Sequence, residues 1–390
     1  VAVRRAEAFS AQALRPARRR GIDRRAYLSI IRGERRGPFA ALARGGLRAA
    51  SLCFRAGVAC RSALFGAGLL AEERARVPVI SVGNLTAGGT GKTPLVIALA
   101  QRLVDAGERV AVLARGYGAR EGELNDELEL VHARVPGARV HAGADRVSSA
   151  ARAEADGATV ILLDDGFQHR RLARDVNILV IDATDPWGTG FLLPRGLLRE
   201  PIAAAARATD IVISRVEQVA KERVEAIRLT LDRAGVRAPC ATMTLAVSGI
   251  RRLGGGAPLE AAGKRVLLLS GIGNPQAFER TATQAGVRVE GAIALPDHHA
   301  FTLGDLSRAA DEAKRLGVDA VLVTEKDAVK LEPLAAGLAT PLYALAVDAR
   351  LERADELLAR IDAALAASRK RSKEIGPESA LRAQHAGGAI

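Results

Sequence analysis

The sequence predicts an α/β protein with a doubly wound, mostly parallel sheet plus a second, smaller α/β domain. Three observations lead there. Short β-branched and apolar runs alternate with helical patterns along most of the chain, the signature of parallel strands joined by helices. Runs such as Val160-Ile161-Leu162-Leu163 are apolar at every residue, as strands covered on both faces are. One run, Val79 to Val82, leads through a glycine-rich loop into an apolar helix that begins at Gly91-Lys92-Thr93.

Taken in order, residues 1 to 37 carry eleven arginines against three acids, so +8 of the net charge of +13 lies in this segment. Such a block reads as a basic arm, a patch attracted to anionic lipid, or upstream sequence without a structural role. Phe39 to Ala71 is apolar but interrupted by Arg44, Arg48, Arg55 and Arg61. No uncharged run there approaches the roughly 18 residues of a spanning helix. The spacing allows the arginines one broad face and Leu, Phe and Val another, which predicts an interfacial, membrane-associated helix or an amphipathic helix packed on the domain.

Strands are then expected at Val79 to Val82, Arg109 to Leu113, Thr159 to Leu163, Asn177 to Ile181 and Asp210 to Ile213. A second set is expected at Arg265 to Leu269, Val287 to Ala294, Ala320 to Thr324 and Leu342 to Ala346. Val247 to Ala262, rich in glycine and small residues, reads as a linker or hairpin between the sets. From Ser368 onward the chain is polar and reads as frayed. The expected divisions are a basic extension at 1–38, the amphipathic helix at 39–75, a nucleotide-binding core at 76–246, a smaller domain closing the cleft at 247–367, and a tail at 368–390.

The loop from Thr86 through Ala87, Gly88, Gly89, Thr90 and Gly91 to Lys92 and Thr93 has the chemistry of a phosphate cradle. Small residues let backbone N–H groups converge on phosphate oxygens, the helix N-terminus favours negative charge, Lys92 adds a cation and Thr93 can hold Mg²⁺. Thr86 stands where the usual pattern has glycine. Asp164 and Asp165 follow a buried strand, the place from which P-loop enzymes present a carboxylate to Mg²⁺; one of them faces the metal while the other orients a neighbour. Arg199 and Glu200 are candidates for binding phosphate or a headgroup, with Arg115, Arg170 and Arg171 as weaker ones. Glu325-Lys326-Asp327 belongs to the second domain or to the cleft edge.

Three cysteines without metal-ligand spacing argue against a disulfide framework or zinc site and for a reducing compartment. Nucleic-acid binding is disfavoured, because the charge is terminal and stacking aromatics are scarce.

Seven blocks in order make a family resemblance specific: VPVISVGNLTAGGTGKTP (77–94), LARGYG (113–118), DDGFQHRRL (164–172), LLPRGLLREP (192–201), GIGNP (271–275), LPDHHAFT (295–302) and LVTEKDAVKL (322–331). The chain resembles the tetraacyldisaccharide 4′-kinases, P-loop enzymes of lipid A biosynthesis at the bacterial inner membrane. The resemblance implies ATP and Mg²⁺ as cofactors and transfer of the γ-phosphoryl group to the 4′-hydroxyl of a tetraacylated disaccharide 1-phosphate. It also implies a lipid partner in the membrane, at the cytoplasmic face; the basic N-terminal block adds an anionic membrane surface as partner, and a monomer is expected. By the same resemblance Asp126 is the base, in a block whose flanks depart from the family pattern at Asn125 and Leu128. Glu127 contacts substrate, and His298 of the second domain is the partner of Asp126, with His299 as the alternative. The competing reading is a membrane-attached regulatory P-loop ATPase, with a soluble small-molecule kinase or ligase behind it.

Overall fold

The computed structural model describes residues 24–116, 125–335 and 340–374. Most of the basic extension, Tyr117 and Gly118 of the second motif block, and the end of the tail lie outside the described residues. Helices α1 (Arg24–Ile31) and α2 (Pro38–Gly66) come first. Then follow β1 (Val79–Gly83), α3 (Lys92–Asp105), β2 (Val110–Ala114), α4 (Asp126–Arg134), β3 (Arg139–Ala142), α5 (Arg146–Ala155), β4 (Val160–Asp164), β5 (Val176–Asp182) and β6 (Asp210–Ser214). The second half adds α6 (Lys221–Arg233), β7 (Cys240–Arg252), β8 (Arg265–Ser270), α7 (Pro275–Gln284), β9 (Arg288–Ala294), α8 (Leu303–Leu316), β10 (Ala320–Thr324), α9 (Glu325–Leu331), β11 (Leu342–Glu352) and α10 (Asp355–Glu374).

All eleven strands form one sheet in the order β3-β2-β4-β1-β5-β6-β7-β11-β10-β8-β9. Every neighbouring pair is parallel except β7 with β11. Residues 247–252, expected in a linker or hairpin, are the second half of β7. Their exposed, small-residue pattern hides a strand whose partner, β11, lies about a hundred residues further on.

The register explains where a ligand can sit. β6 ends at Ser214, beside Met243 of β7, whereas β10 ends at Thr324, beside Leu345, which pairs with Ile250. The two parallel blocks therefore grip opposite ends of the β7/β11 ribbon and run head to head. Their C-terminal edges, where ligands bind in open α/β sheets, face one another across roughly 20 Å of extended strand. Midway, Val347 pairs with Val247 and Ala346 with Gly249, leaving Ser248 as a one-residue bulge. Buried positions on β7 accordingly change from odd numbers (Ala241, Met243, Leu245) to an even one (Ile250).

The first block is covered by α3, α4 and α10 on one face, around Leu95, Leu99, Leu128 and Leu162. Helix α10 comes back from the end of β11 and buries Leu357, Ile361 and Leu365 in this core. The region expected to fray from Ser368 continues as helix to Glu374, with Ser368 buried.

Helix α2 lies along the first block, with Ser51 and Phe65 buried and Ser51 donating to the Leu192 carbonyl at 3.0 Å. On an ideal wheel Arg44, Arg48 and Arg55 fall within about 40° of one another beside this buried stripe. Arg48 stacks on Phe191 and Arg61 donates to the Gln168 carbonyl. The opposite face, Leu42, Gly46, Ala49, Cys53, Ala56 and Cys60, is exposed and carries no charge. Among the described residues no helix is long and apolar enough to cross a membrane.

Candidate active site

A cleft of about 1080 Å³ opens where the two blocks face each other, with Leu245, Leu345 and Val347 of the ribbon in its wall. The loop between β1 and α3 enters from the first block. Gly91 caps α3 at φ 82°, a left-handed conformation that favours glycine, and brings Lys92 and Thr93 to the helix N-terminus. Asn84, at the start of the loop, donates to the Thr86 carbonyl at 2.7 Å. Thr86 bridges to Leu198, and the Ala87 N–H donates to the Leu197 carbonyl, so the loop is sewn to the 192–201 segment.

Asp164 and Asp165 separate in character as expected for successive residues at a strand end. Asp165, at φ 55°, pairs with Lys92 at 3.4 Å and with Arg199 at 2.7 Å. Burial pushes its carboxyl up, but these two cations outweigh it and hold the group well below the usual carboxylate range. Asp164 is 1% exposed, and neither of its carboxylate oxygens has a hydrogen-bond partner among the described residues. Burial, and then the neighbouring Glu127, raise its pKa to about 7. Such a carboxylate is short of a cation, which fits Mg²⁺, an ion that takes one or two protein oxygens and completes its shell with phosphate and water. Thr93 shares the cleft with it; among the described residues no cluster of three acidic, histidine or cysteine side chains forms a self-sufficient metal cage.

The acid–base candidates meet at the junction of the blocks. Asn125, which departs from the family pattern, caps α4 by accepting from the Leu128 N–H, and so puts Asp126 and Glu127 in the first helical turn. His298, at φ 58°, brings Nδ1 to 3.0 Å from Asp126. Lys330 donates to the other Asp126 oxygen at 3.2 Å, and Lys326 donates to Glu127 at 3.0 Å while lying 3.3 Å from Nε2 of His298. Burial pushes Asp126 up, yet the bond to His298 and the lysine charges win and hold it well below the usual range. The bond to Asp126 raises His298 against the opposing effect of burial. His298 lines the cleft; Asp126, 8% exposed, sits behind it.

Arg199 and Glu200 also border the cleft, but the buried Glu200 accepts from Arg207, so its carboxylate is committed to the protein. Arg170 stacks on Phe65 of α2, Arg171 pairs with Glu73, and Arg115 lines the cleft. Within Glu325-Lys326-Asp327 the roles divide: Glu325 pairs with Arg134, Asp327 accepts from the Gly271 N–H, and Lys326 faces the cleft. Residues that sequence reasoning did not single out include Arg146, Arg215 and Asn274, which line the cleft, and Lys330, which bonds Asp126. Asn274 and Lys330 lie inside quoted motif blocks, whereas Arg146 and Arg215 have no local pattern.

Fold and site together define a nucleotide-dependent phosphotransferase of the P-loop class. The sequence profile of the tetraacyldisaccharide-1-P 4′-kinases matches residues 44–366, and the chain belongs to that family. It is 45% identical to the tetraacyldisaccharide 4′-kinase of Anaeromyxobacter dehalogenans over 85% of this chain and 93% of that one. The corresponding kinase of Syntrophus aciditrophicus is 40% identical over 81% and 91%. Among solved structures, LpxK from Aquifex aeolicus in complex with ATP superposes with a TM-score of 0.63 and 29% identity, covering 83% of this chain and 99% of its own.

Proposed function

We propose that the protein transfers the γ-phosphoryl group of ATP to the 4′-hydroxyl of tetraacyldisaccharide 1-phosphate. One observation carries this reading beyond the family name: a single cleft joins the phosphate loop and His298 to Phe54 and Val58 of α2, so a lipid held at that helix shares a cavity with the nucleotide site. Mg²⁺, held by Thr93 and Asp164, would neutralise charge on the phosphates. The residues do the rest. Lys92 and the loop N–H groups hold the transferring phosphate, and Asp165 fixes Lys92 and Arg199 around it. Asp126, kept ionised, is the base, and His298 shares the proton of the attacking hydroxyl with it. Lys326, set among the carboxylates of Glu127, Asp126 and Asp297, holds Glu127 in place on the acceptor side of the cleft.

The uncharged outer face of α2 suits the headgroup region of a bilayer, with Phe39, Leu42 and Leu52 exposed by 87%, 76% and 66%. We place the enzyme on the cytoplasmic face of the inner membrane, where ATP is available, acting as a monomer without a nucleic-acid partner. The test is transfer of labelled γ-phosphate to the lipid in mixed micelles with Mg²⁺. A labelled lipid that depends on Lys92 supports the kinase; ATP hydrolysis without labelled lipid would favour the regulatory ATPase.

A further inference from the structure

Two consecutive residues at the end of β6 hold the phosphate loop by its carbonyls. Ser214 Oγ donates to the Thr90 carbonyl at 2.7 Å, and Arg215 donates to the Gly89 carbonyl at 3.0 Å and to the Asp182 carboxylate. Neither is a surface residue: Ser214 is fully buried and Arg215 is 9% exposed. Arg215 also holds φ 57°, a backbone state that a residue with a Cβ avoids, so the chain accepts strain to aim this guanidinium.

Across a trans peptide the carbonyl of one residue and the N–H of the next point in opposite directions. Fixing the oxygens of Gly89 and Thr90 therefore fixes where the N–H groups of Thr90 and Gly91 point. The second block joins the same arrangement. Asn274, which caps α7, donates to Asp182 at 3.3 Å, and Gly273 packs so tightly on the loop that a Cβ there would lie 2.7 Å from the Gly89 nitrogen.

We propose that Ser214 and Arg215 are positioning residues for nucleotide binding: they clamp two successive carbonyls of the phosphate loop so that its N–H groups are pre-aimed at phosphate oxygens, and Asn274, through Asp182, ties this clamp to the second block. The inference rests on the reading of residues 86–93 as the nucleotide site. Preorganisation of this kind raises affinity by cutting the ordering cost of binding, without the clamp touching the ligand.

The full-length protein would be titrated with Mg·ATP by calorimetry and assayed with the lipid for both KM values. Ser214→Ala, which alters no charge, is expected to weaken ATP binding about fivefold, the effect of one lost hydrogen bond. Arg215→Met is expected to weaken it more than tenfold, with Arg215→Lys in between because it keeps the charge beside Asp182 and loses the planar fork. KM for the lipid should stay within about twofold, and the Ser214→Ala, Arg215→Met pair should cost less than the product of the single effects, since both act on one loop. ATP affinity unchanged in Ser214→Ala, with Arg215→Met altering only the melting temperature, would overturn the inference and leave the nucleotide site standing. Failure of the unmodified protein to bind ATP would remove both.

Discussion

The two parallel blocks supply different kinds of chemistry. The first brings a phosphate cradle whose parts each carry a local signal: a loop with its lysine at the start of the next helix, and two aspartates at the end of β4, which pairs with β1. The second brings His298, Lys326 and Lys330, which have Asp297 and Asp327 beside them in their own block and reach across to Asp126 and Glu127, 172, 199 and 204 residues away, for their hydrogen bonds. Most of the nucleotide grip is thus built into one block, with Asn274 and Gly273 touching it from the other, whereas the histidine–aspartate pair forms only where the blocks meet.

The largest effect should come from within the first block. Lys92→Ala removes the one cation paired with Asp165 that comes from the phosphate loop itself, and lipid phosphorylation should fall by at least about a thousandfold with the melting temperature nearly unchanged. Asp164→Asn should be comparably inactive yet more stable, because above pH 7 the folded chain must otherwise carry an unpartnered buried charge. A thermal scan at pH 8 without Mg²⁺ should show the rise, and a lower melting point would refute this account of Asp164.

At the junction the effect should be smaller and of a different kind. Asp126→Asn should lower kcat about a hundredfold or more while ATP binding by calorimetry stays the same. A matching loss of ATP affinity would mean that the blocks do not divide the work. The pair also predicts a pH dependence. His298 titrates higher in the folded chain than an unfolded histidine does, so its contribution to stability is complete below about pH 6.5 and is lost as pH rises through the raised folded value. The rate runs the other way, increasing over that same range as the pair becomes able to take a proton. In His298→Gln both trends should flatten, which paired rate and melting profiles between pH 6 and 9 would reveal.

The smallest effect concerns the outer face of α2. Leu42→Glu with Leu52→Glu should raise the apparent KM for lipid in vesicles several-fold and leave it nearly unchanged in detergent micelles, since the change strikes membrane contact and not the cleft. Equal losses in both would show that these leucines serve the fold.

The same contrast explains what could be read from sequence. The first block was legible because each signal was local: VISVG before the loop, VILLD before Asp165, apolar periodicity in α3. The family resemblance also brought Asp126, which lies outside the seven blocks, together with His298 as partners, although nothing in the spacing of the chain says they touch. The pairing across β7 and β11 was not legible, because Ser248 and Gly249 interrupt the alternation that marks a strand, and strand β3 is too short and too exposed to stand out. The grip of Arg215 on Gly89 was equally hidden, being a contact between residues 126 positions apart with no motif at Arg215. Glu200 was assigned to substrate on its place in a motif, but burial beside Arg207 commits its carboxylate elsewhere.

Ser248 is an exposed serine on a half-covered strand, a position at which a change of side chain should matter little. Its presence as a residue is another matter. It is the extra step that lets β7 offer Leu245 to one core and Ile250 to another while β11 runs past both without a break. Deleting it would turn Ile250 outward and rotate one half of the sheet against the other, taking His298 away from Asp126. At this position the chain tolerates spelling errors but not a dropped letter.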